Sequence, residues 1–243
     1  MELSAIIVNS IKYPLRNIAK LPIIFTLFIL ITIIPIGKLL DNNYIVAVGV
    51  IAFFIFLLIV PGYFLDIVKT GSRGLSIFPS LSLKDTIYDS VRVLILRAVY
   101  MIVPVAVFFL VLYVLAPASV DLLYKMQIIS FLATFGLLFE VILITYLVFE
   151  FLLFFAKARM AYLDSLSEAL KINKVILDIR NIGIINIIKW LIMMVVLMVV
   201  ISFVSSFILA IPYVGALIDI CIVIPIMESI ANYSLGLLYS NIT

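Results

Sequence analysis

The sequence predicts an all-α fold: a polytopic membrane helix bundle of six transmembrane helices. Amphipathic elbow helices lie on its cytoplasmic side, and one integral membrane domain takes in residues 1–243. Three observations predict it. Hydrophobic residues make up 67% of the chain and charged residues 12%, where soluble domains hold about half and about a quarter. Six apolar segments each reach the roughly 20 residues that a helix needs to cross about 30 Å of hydrocarbon. Lysine and arginine cluster in alternate loops, as the positive-inside rule requires of a multi-pass chain.

The spans fall near 19–40, 44–68, 93–116, 126–156, 184–210 and 213–239. Pro22, Pro35 and Gly37 crowd the ends of the first, and the fourth is long enough to tilt. Their Ile and Val content is no obstacle, since in lipid the backbone has no partner but its own carbonyls. Lys12, Arg16 and Lys20 precede span one. Lys69, Arg73, Lys84, Arg92 and Arg97 lie between spans two and three, and Lys157, Arg159, Lys171, Lys174, Arg180 and Lys189 between spans four and five. Only Lys38 and Lys125 fall on the other side, so both termini are expected in the cytoplasm. The first apolar run reaches Pro35-Ile36-Gly37-Lys38 without a small-residue cleavage site, which favours an uncleaved span over a signal peptide. Asn241-Ile242-Thr243 matches a glycosylation acceptor, but this topology leaves it on the cytoplasmic side.

An amphipathic stretch precedes each odd-numbered span. Leu3, Ile6, Ile7, Ile11, Leu15 and Ile18 share a face in the first. In the second, Leu83, Ile87 and Val91 oppose Asp85, Asp89 and Arg92. In the third, Leu166, Ala169, Leu170 and Leu177 oppose Glu168, Lys171 and Lys174. Ser82-x-x-Asp85 and Ser165-x-x-Glu168 are capping boxes that start the later two. Each elbow leads to a hairpin whose outer turn carries proline, at Pro35-Ile36-Gly37, Pro117 and Pro212-Tyr213-Val214-Gly215. The pattern is a candidate threefold elbow-plus-hairpin repeat, with the elbows lying at the cytoplasmic leaflet.

Four acids fall inside predicted spans, Glu140, Glu150, Asp219 and Glu228. A carboxylate in hydrocarbon is costly, so each is a candidate for function. Glu228 stands near mid-span with Ser229 and Asn232 beside it, and Pro225 frees a backbone carbonyl nearby. Arg97 is the closest candidate cation for Glu150. The candidate polar intramembrane site is therefore Glu140, Glu228, Asn232, Asp219 and Glu150, between spans four and six. The alternative is that these acids are protonated packing groups hydrogen-bonded across helix interfaces. Lys69, Arg73, Arg92, Arg97, Lys157 and Arg159 are expected to anchor the cytoplasmic face among lipid headgroups. Ser202, Ser205, Ser206 and Ala210 of span five, with Gly215, Ala216, Ala231, Ser234 and Gly236 of span six, imply close packing of those two helices.

The chain has no histidine and one cysteine, Cys221, inside an apolar run. That excludes His-ligated metal, a Ser-His-Asp triad and an internal disulfide, and no serine has an evident base. The net charge of +3 is small and gives no case for nucleic acid. Gly62-Tyr63-Phe64-Leu65-Asp66-Ile67-Val68-Lys69-Thr70-Gly71-Ser72-Arg73-Gly74 has the glycines of a phosphate loop but the wrong order and a membrane helix before it. It is expected to end span two, with Gly71 and Gly74 stopping the helix.

Three blocks carry a family resemblance. They are Gly62-Tyr63 with Gly74, Pro79, Tyr100 and Pro104; Ala158-Arg159-Met160-Ala161 with Ser165-Leu166, Glu168-Ala169 and Ile182-Gly183; and Ile211-Pro212, Gly215 and Gly236-Leu237-Leu238-Tyr239. On these the chain resembles the DUF4013-type six-span membrane proteins of archaea and bacteria, a domain of unknown function. Ser90 stands where the pattern expects glycine, and Asp66 where it expects a basic or neutral residue. The resemblance implies a six-span membrane fold and supplies no activity, cofactor or catalytic residue.

The elbows, short loops and lack of a catalytic set point first to a membrane scaffold or envelope-assembly partner in the cell (plasma) membrane. A permease-like or transport-associated protein using the intramembrane carboxylates is the alternative, and a lipid-modifying enzyme the third class. Expected partners are membrane lipids and a membrane protein or a second copy of the chain; no cofactor and no enzymatic activity are expected. A polar cavity reaching Glu140 and Glu228 would favour transport, and a tightly packed bundle with a flat apolar flank a scaffold.

Overall fold

The computed structural model describes residues 2–124 and 128–240, with side chains described except at 115–129, 131–135 and 137. Lys125, the predicted start of span four at Met126, the Asn241-Ile242-Thr243 acceptor and the side chain of Pro117 lie outside the described residues. The elements in order are α1 (Leu3–Arg16), a 3₁₀ turn (Ile18–Lys20), α2 (Leu21–Leu39), α3 (Asn43–Ser72), α4 (Leu83–Tyr124) and α5 (Ile128–Leu163). Then come α6 (Leu166–Ala169), α7 (Ile172–Ile182), α8 (Ile184–Leu209), α9 (Val214–Ile218), a π turn (Asp219–Val223) and α10 (Ile224–Tyr239). Among the described residues six helices are long and apolar enough to cross a membrane: α2 with its 3₁₀ turn, α3, α4, α5, α8 and the run from α9 to α10.

At the far end of the bundle α2 and α3 form a tight hairpin. A Cβ on Gly37 would stand 2.7 Å from the Val46 nitrogen, and one on Gly49 2.7 Å from the Ile34 nitrogen. The turn follows at Leu40–Asn42, where the Asn42 side chain accepts from the Tyr44 and Ile45 N–H groups at 3.0 and 3.2 Å. The expected turn at Pro35-Ile36-Gly37 is thus corrected: those residues are helical, and Gly37 serves the packing of the two helices. Pro117 likewise falls inside α4 rather than at a turn. The third turn stands where expected, with Tyr213 at φ 62° just before α9.

The helix α3 runs unbroken through Pro61-Gly62 and stops at Arg73, with Gly74 at φ 67°. Gly71 does not stop it. It sits inside α3 against α10, and a Cβ there would lie 2.5 Å from the Tyr233 carbonyl oxygen. The segment after Gly74 folds back over α1, where Asn17 donates to the Ser76 carbonyl at 2.8 Å and accepts from the Phe78 N–H at 3.0 Å. Lys20 donates to the Phe78 carbonyl at 2.7 Å. Tyr13 is buried in a stack between Phe78 and Tyr233, with ring centroids 4.5 and 3.8 Å away. Burial, reinforced by the neighbouring Tyr63 and Tyr233 phenols, pushes the Tyr13 hydroxyl well above the ordinary tyrosine value.

The second elbow is not a separate helix. It is the first part of α4, because no glycine or proline lies between Ser82 and Pro104 to interrupt it. Its orientation is also the reverse of an interfacial elbow. Thr86, Asp89, Ser90 and Arg92 are buried, while Leu83, Ile87, Tyr88 and Val91 are exposed. A helix that turns its polar face inward and its apolar face outward fits a lipid surround. In the third elbow the Ser165 hydroxyl accepts from the Glu168 N–H at 3.4 Å, the chain breaks at Leu170–Lys171, and α7 buries Val175, Asp178, Ile179 and Ile182 rather than Leu177.

The core sits toward the basic end. Buried side chains concentrate in α3 from Ile59 to Ser72, in α5 from Leu153 to Ala161, and in α10 from Ser229 to Tyr239. In α8 only Ile187, Trp190, Met194 and Ser205 are buried. The small residues of α10 correct the expected pairing of the last two spans. Gly236 packs on α3, where its Cβ would meet the Val68 carbonyl oxygen at 2.3 Å. Contact with span five is made at its two ends: Gly215 sits against the Ile208 carbonyl oxygen, and the Trp190 indole donates to Ser234 at 2.7 Å.

Candidate functional site

Two charge clusters lock the basic end. Lys69 of α3 donates to Asp89 of α4 and stands 3.4 Å from Asp66 and 3.3 Å from Asp164. Arg92 donates to Asp89 at 2.7 Å and to Asp164 at 2.9 Å. Partial burial of Asp164 works against its ionisation. The Arg92 hydrogen bond and the Lys69 charge outweigh that and hold its carboxyl below the usual carboxylate range. In the second cluster Arg159 of α5 donates to Asp178 of α7 at 2.5 Å and to the Glu168 carboxylate at 3.1 Å. Tyr239 of α10 also donates to Asp178. Lys171, and after it Arg159, hold the Glu168 carboxyl below its ordinary value.

Three of the six cations expected among headgroups are thus held by carboxylates of the protein. Lys69, Arg92 and Arg159 pair inside the protein, and Arg97 and Lys157 line a cavity. Arg73 is exposed and, among the described residues, has no ion pair. Burial is the physical reason for the pairing: a cation packed among helices needs a carboxylate partner.

The cavity lies between α4, α5 and α10 and has a volume of about 340 Å³. Its polar wall is Arg97 of α4, Glu150 and Lys157 of α5, and Glu228 and Asn232 of α10. Arg97 donates to Glu150 at 2.8 Å, and Tyr146 donates to the same oxygen at 2.9 Å. Lys157 donates to the Asn232 side-chain oxygen at 2.6 Å. Asn232 in turn donates to the Glu228 backbone carbonyl at 2.7 Å and its carboxylate at 3.1 Å. The amide thus links the ammonium to the acid without a direct ion pair among the described residues. One hydrogen bond leaves two of the three Lys157 donors open, and the second Glu228 oxygen is open too.

Of the acids singled out from the sequence, the structure brings Glu150 and Glu228 together. Glu140 is exposed on α5 and, among the described residues, unpaired; it does not reach the cavity. Asp219 accepts from Ser205 on the π turn, nine residues before Glu228 and so about 13 Å away along the helix. Lys157 joins the cavity although it is not among the residues expected there from the sequence, and Asp178, Asp89 and Asp164 are pairing acids that the sequence pattern does not single out. The spacing of Asp66 to Lys69 and of Asp89 to Arg92, each i to i+3, was the available signal for the first cluster.

Beside the cavity, a cleft of about 920 Å³ opens between α5 and α8. Phe151, Phe154, Met194, Val195 and Met198 give it apolar walls, with Trp190 near the basic end and Ser202 and Ser206 farther along. Glu150, Phe154 and Ala231 line both spaces, so the cleft and the cavity adjoin. Both volumes lie in the range of small-molecule sites.

The family described as Protein of unknown function (DUF4013) has a model that matches residues 45–210, more than half of the chain. The chain belongs to the DUF4013 family. The match runs from α3 to the end of α8, so it includes Arg97, Glu150 and Lys157, while Glu228 and Asn232 of α10 follow it. No curated protein and no solved structure matches the chain. The two departures from the expected DUF4013 pattern both have partners here. The Ser90 hydroxyl accepts from the Gly62 N–H at 2.7 Å, and Asp66 faces Lys69.

Proposed function

We propose that this DUF4013 protein is a permease-like, transport-associated membrane protein. It lies in the cell membrane with its basic end in the cytoplasm, and it handles an amphiphile that reaches the polar cavity sideways from the bilayer. The observation that carries this reading is the adjoining of a charged cavity and an apolar cleft. A packing network would have no need of an open wall, and a scaffold no need of four charges behind one. Glu228 lies eleven residues, about 16 Å, from the end of α10, close to half the thickness of bilayer hydrocarbon, and this supports a site reached from within the membrane. The Lys and Arg bias supports the orientation. We take the role as binding and movement: among the described residues the cavity wall has no serine, threonine or cysteine.

The test is leaflet exchange. Purified protein in vesicles carrying a lipid with a fluorophore on its acyl chain should speed loss of the protected half of the fluorescence to an impermeant reductant. Met194→Trp, which fills the cleft, should remove the acceleration. Vesicles with and without protein bleaching alike would overturn the transport reading and return the scaffold to first place.

A further inference from the structure

The charges of the cavity assign the head of its ligand. With Arg97, Glu150, Lys157 and Glu228 ionised, the wall carries no net charge. Arg97 and Glu150 pair through one hydrogen bond, and Tyr146 is a second donor to the same Glu150 oxygen. The open valences are of both signs: N–H donors on Lys157 and Arg97 and one oxygen each on Glu228 and Glu150, with Lys157 and Glu228 held apart by Asn232. An anionic ligand would satisfy the first, strand the second and leave a net negative charge in hydrocarbon; a cationic one would do the reverse. A ligand with both signs satisfies both and leaves the site neutral.

We propose that the site takes a zwitterionic amphiphile bearing a primary ammonium, an amino-phospholipid in chemical class. Its phosphate accepts from Lys157, its ammonium donates to Glu228, and its acyl chain lies in the cleft along Phe154 and Met194. Donation to Glu228 needs N–H groups, so a quaternary ammonium head fits less well. The inference rests on the reading of cleft and cavity as one amphiphile site and adds the head to it.

The experiment is native mass spectrometry of the intact protein released from micelles. Phosphatidylethanolamine, phosphatidylcholine and phosphatidylglycerol of matched chains are added in turn. Phosphatidylethanolamine should be retained about tenfold over the other two, the weight of a charge-assisted hydrogen bond. Glu228→Gln should erase that preference, and Lys157→Met should weaken all three. Glu228→Asp, which keeps the charge, should retain part of the preference and serves if the glutamine variant does not fold. Preferential retention of phosphatidylglycerol, or a preference unchanged in both Glu228 variants, overturns the assignment. If retention of phosphatidylglycerol is then lost in Met194→Trp, the amphiphile site survives and only its head is wrong. If no lipid is retained above the micelle background, or Met194→Trp changes nothing, both readings fall.

Discussion

Gly71 and Gly236 face each other where α3 crosses α10, so closely that a Cβ on Gly236 would stand 2.9 Å from the Gly71 Cα and 2.8 Å from the Ser72 nitrogen. Backbone cannot move aside as a side chain can. Gly236→Ala should therefore destabilise the protein by about 1–3 kcal/mol, read as a lower melting temperature in detergent. Gly136, with nothing among the described residues within 4 Å of its Cβ position, is the control, and its alanine variant should melt no lower than wild type.

Ser90 gives a milder effect. Its hydroxyl is the acceptor for Gly62 N–H across the α3–α4 contact. Ser90→Ala should cost about 1 kcal/mol, measured in the same melting experiment. An unchanged melting temperature would make that hydrogen bond incidental.

Asp178 should matter more than either. It accepts from both Arg159 and Tyr239, and its side chain is 10% exposed. Asp178→Ala leaves the Tyr239 phenol without its acceptor and Arg159 with Glu168 alone, at a cost of about 2–3 kcal/mol. Tyr239→Phe removes one donor and should cost about 1 kcal/mol. Equal losses for the two variants would show that Glu168 alone satisfies the guanidinium.

The acid limb of the stability profile follows from Asp164 and Glu168, whose folded carboxyls are both held below their ordinary values. A depressed acid contributes stability that is complete above its unfolded pKa, about 4. That contribution is lost as the pH falls through the lower folded value, because the unfolded chain then binds more protons. Unfolding in detergent should thus become easier below about pH 4. Asp164→Asn should flatten the slope, with its loss of stability complete at pH 7 and shrinking below about pH 4. A profile with the same slope in that variant would remove Asp164 from the account.

Span number and approximate limits were legible in the sequence because both rest on length and composition. Side-chain orientation was not. The second amphipathic stretch has the same periodicity whether its apolar face lies on a membrane or looks out into one, and only the burial of Asp89 and Arg92 decides between them. Turn positions misled for a related reason: Pro35 and Gly37 resemble a break, yet a tight helix hairpin needs a small residue there. Glu150 with Arg97 could be paired on paper, since both lie at similar depth on neighbouring spans. Lys157 could not be joined to Asn232, seventy-five residues away, because nothing local says which helix α5 faces.

Trp190 is the chain's single tryptophan, and it lies on the cleft wall with its ring 5.7 Å from that of Phe154 and its indole N–H held by Ser234. The protein therefore carries its own optical reporter at the place where an acyl chain would pass. A brominated chain lodged in the cleft would quench that one emitter, with no label attached and no background from a second indole.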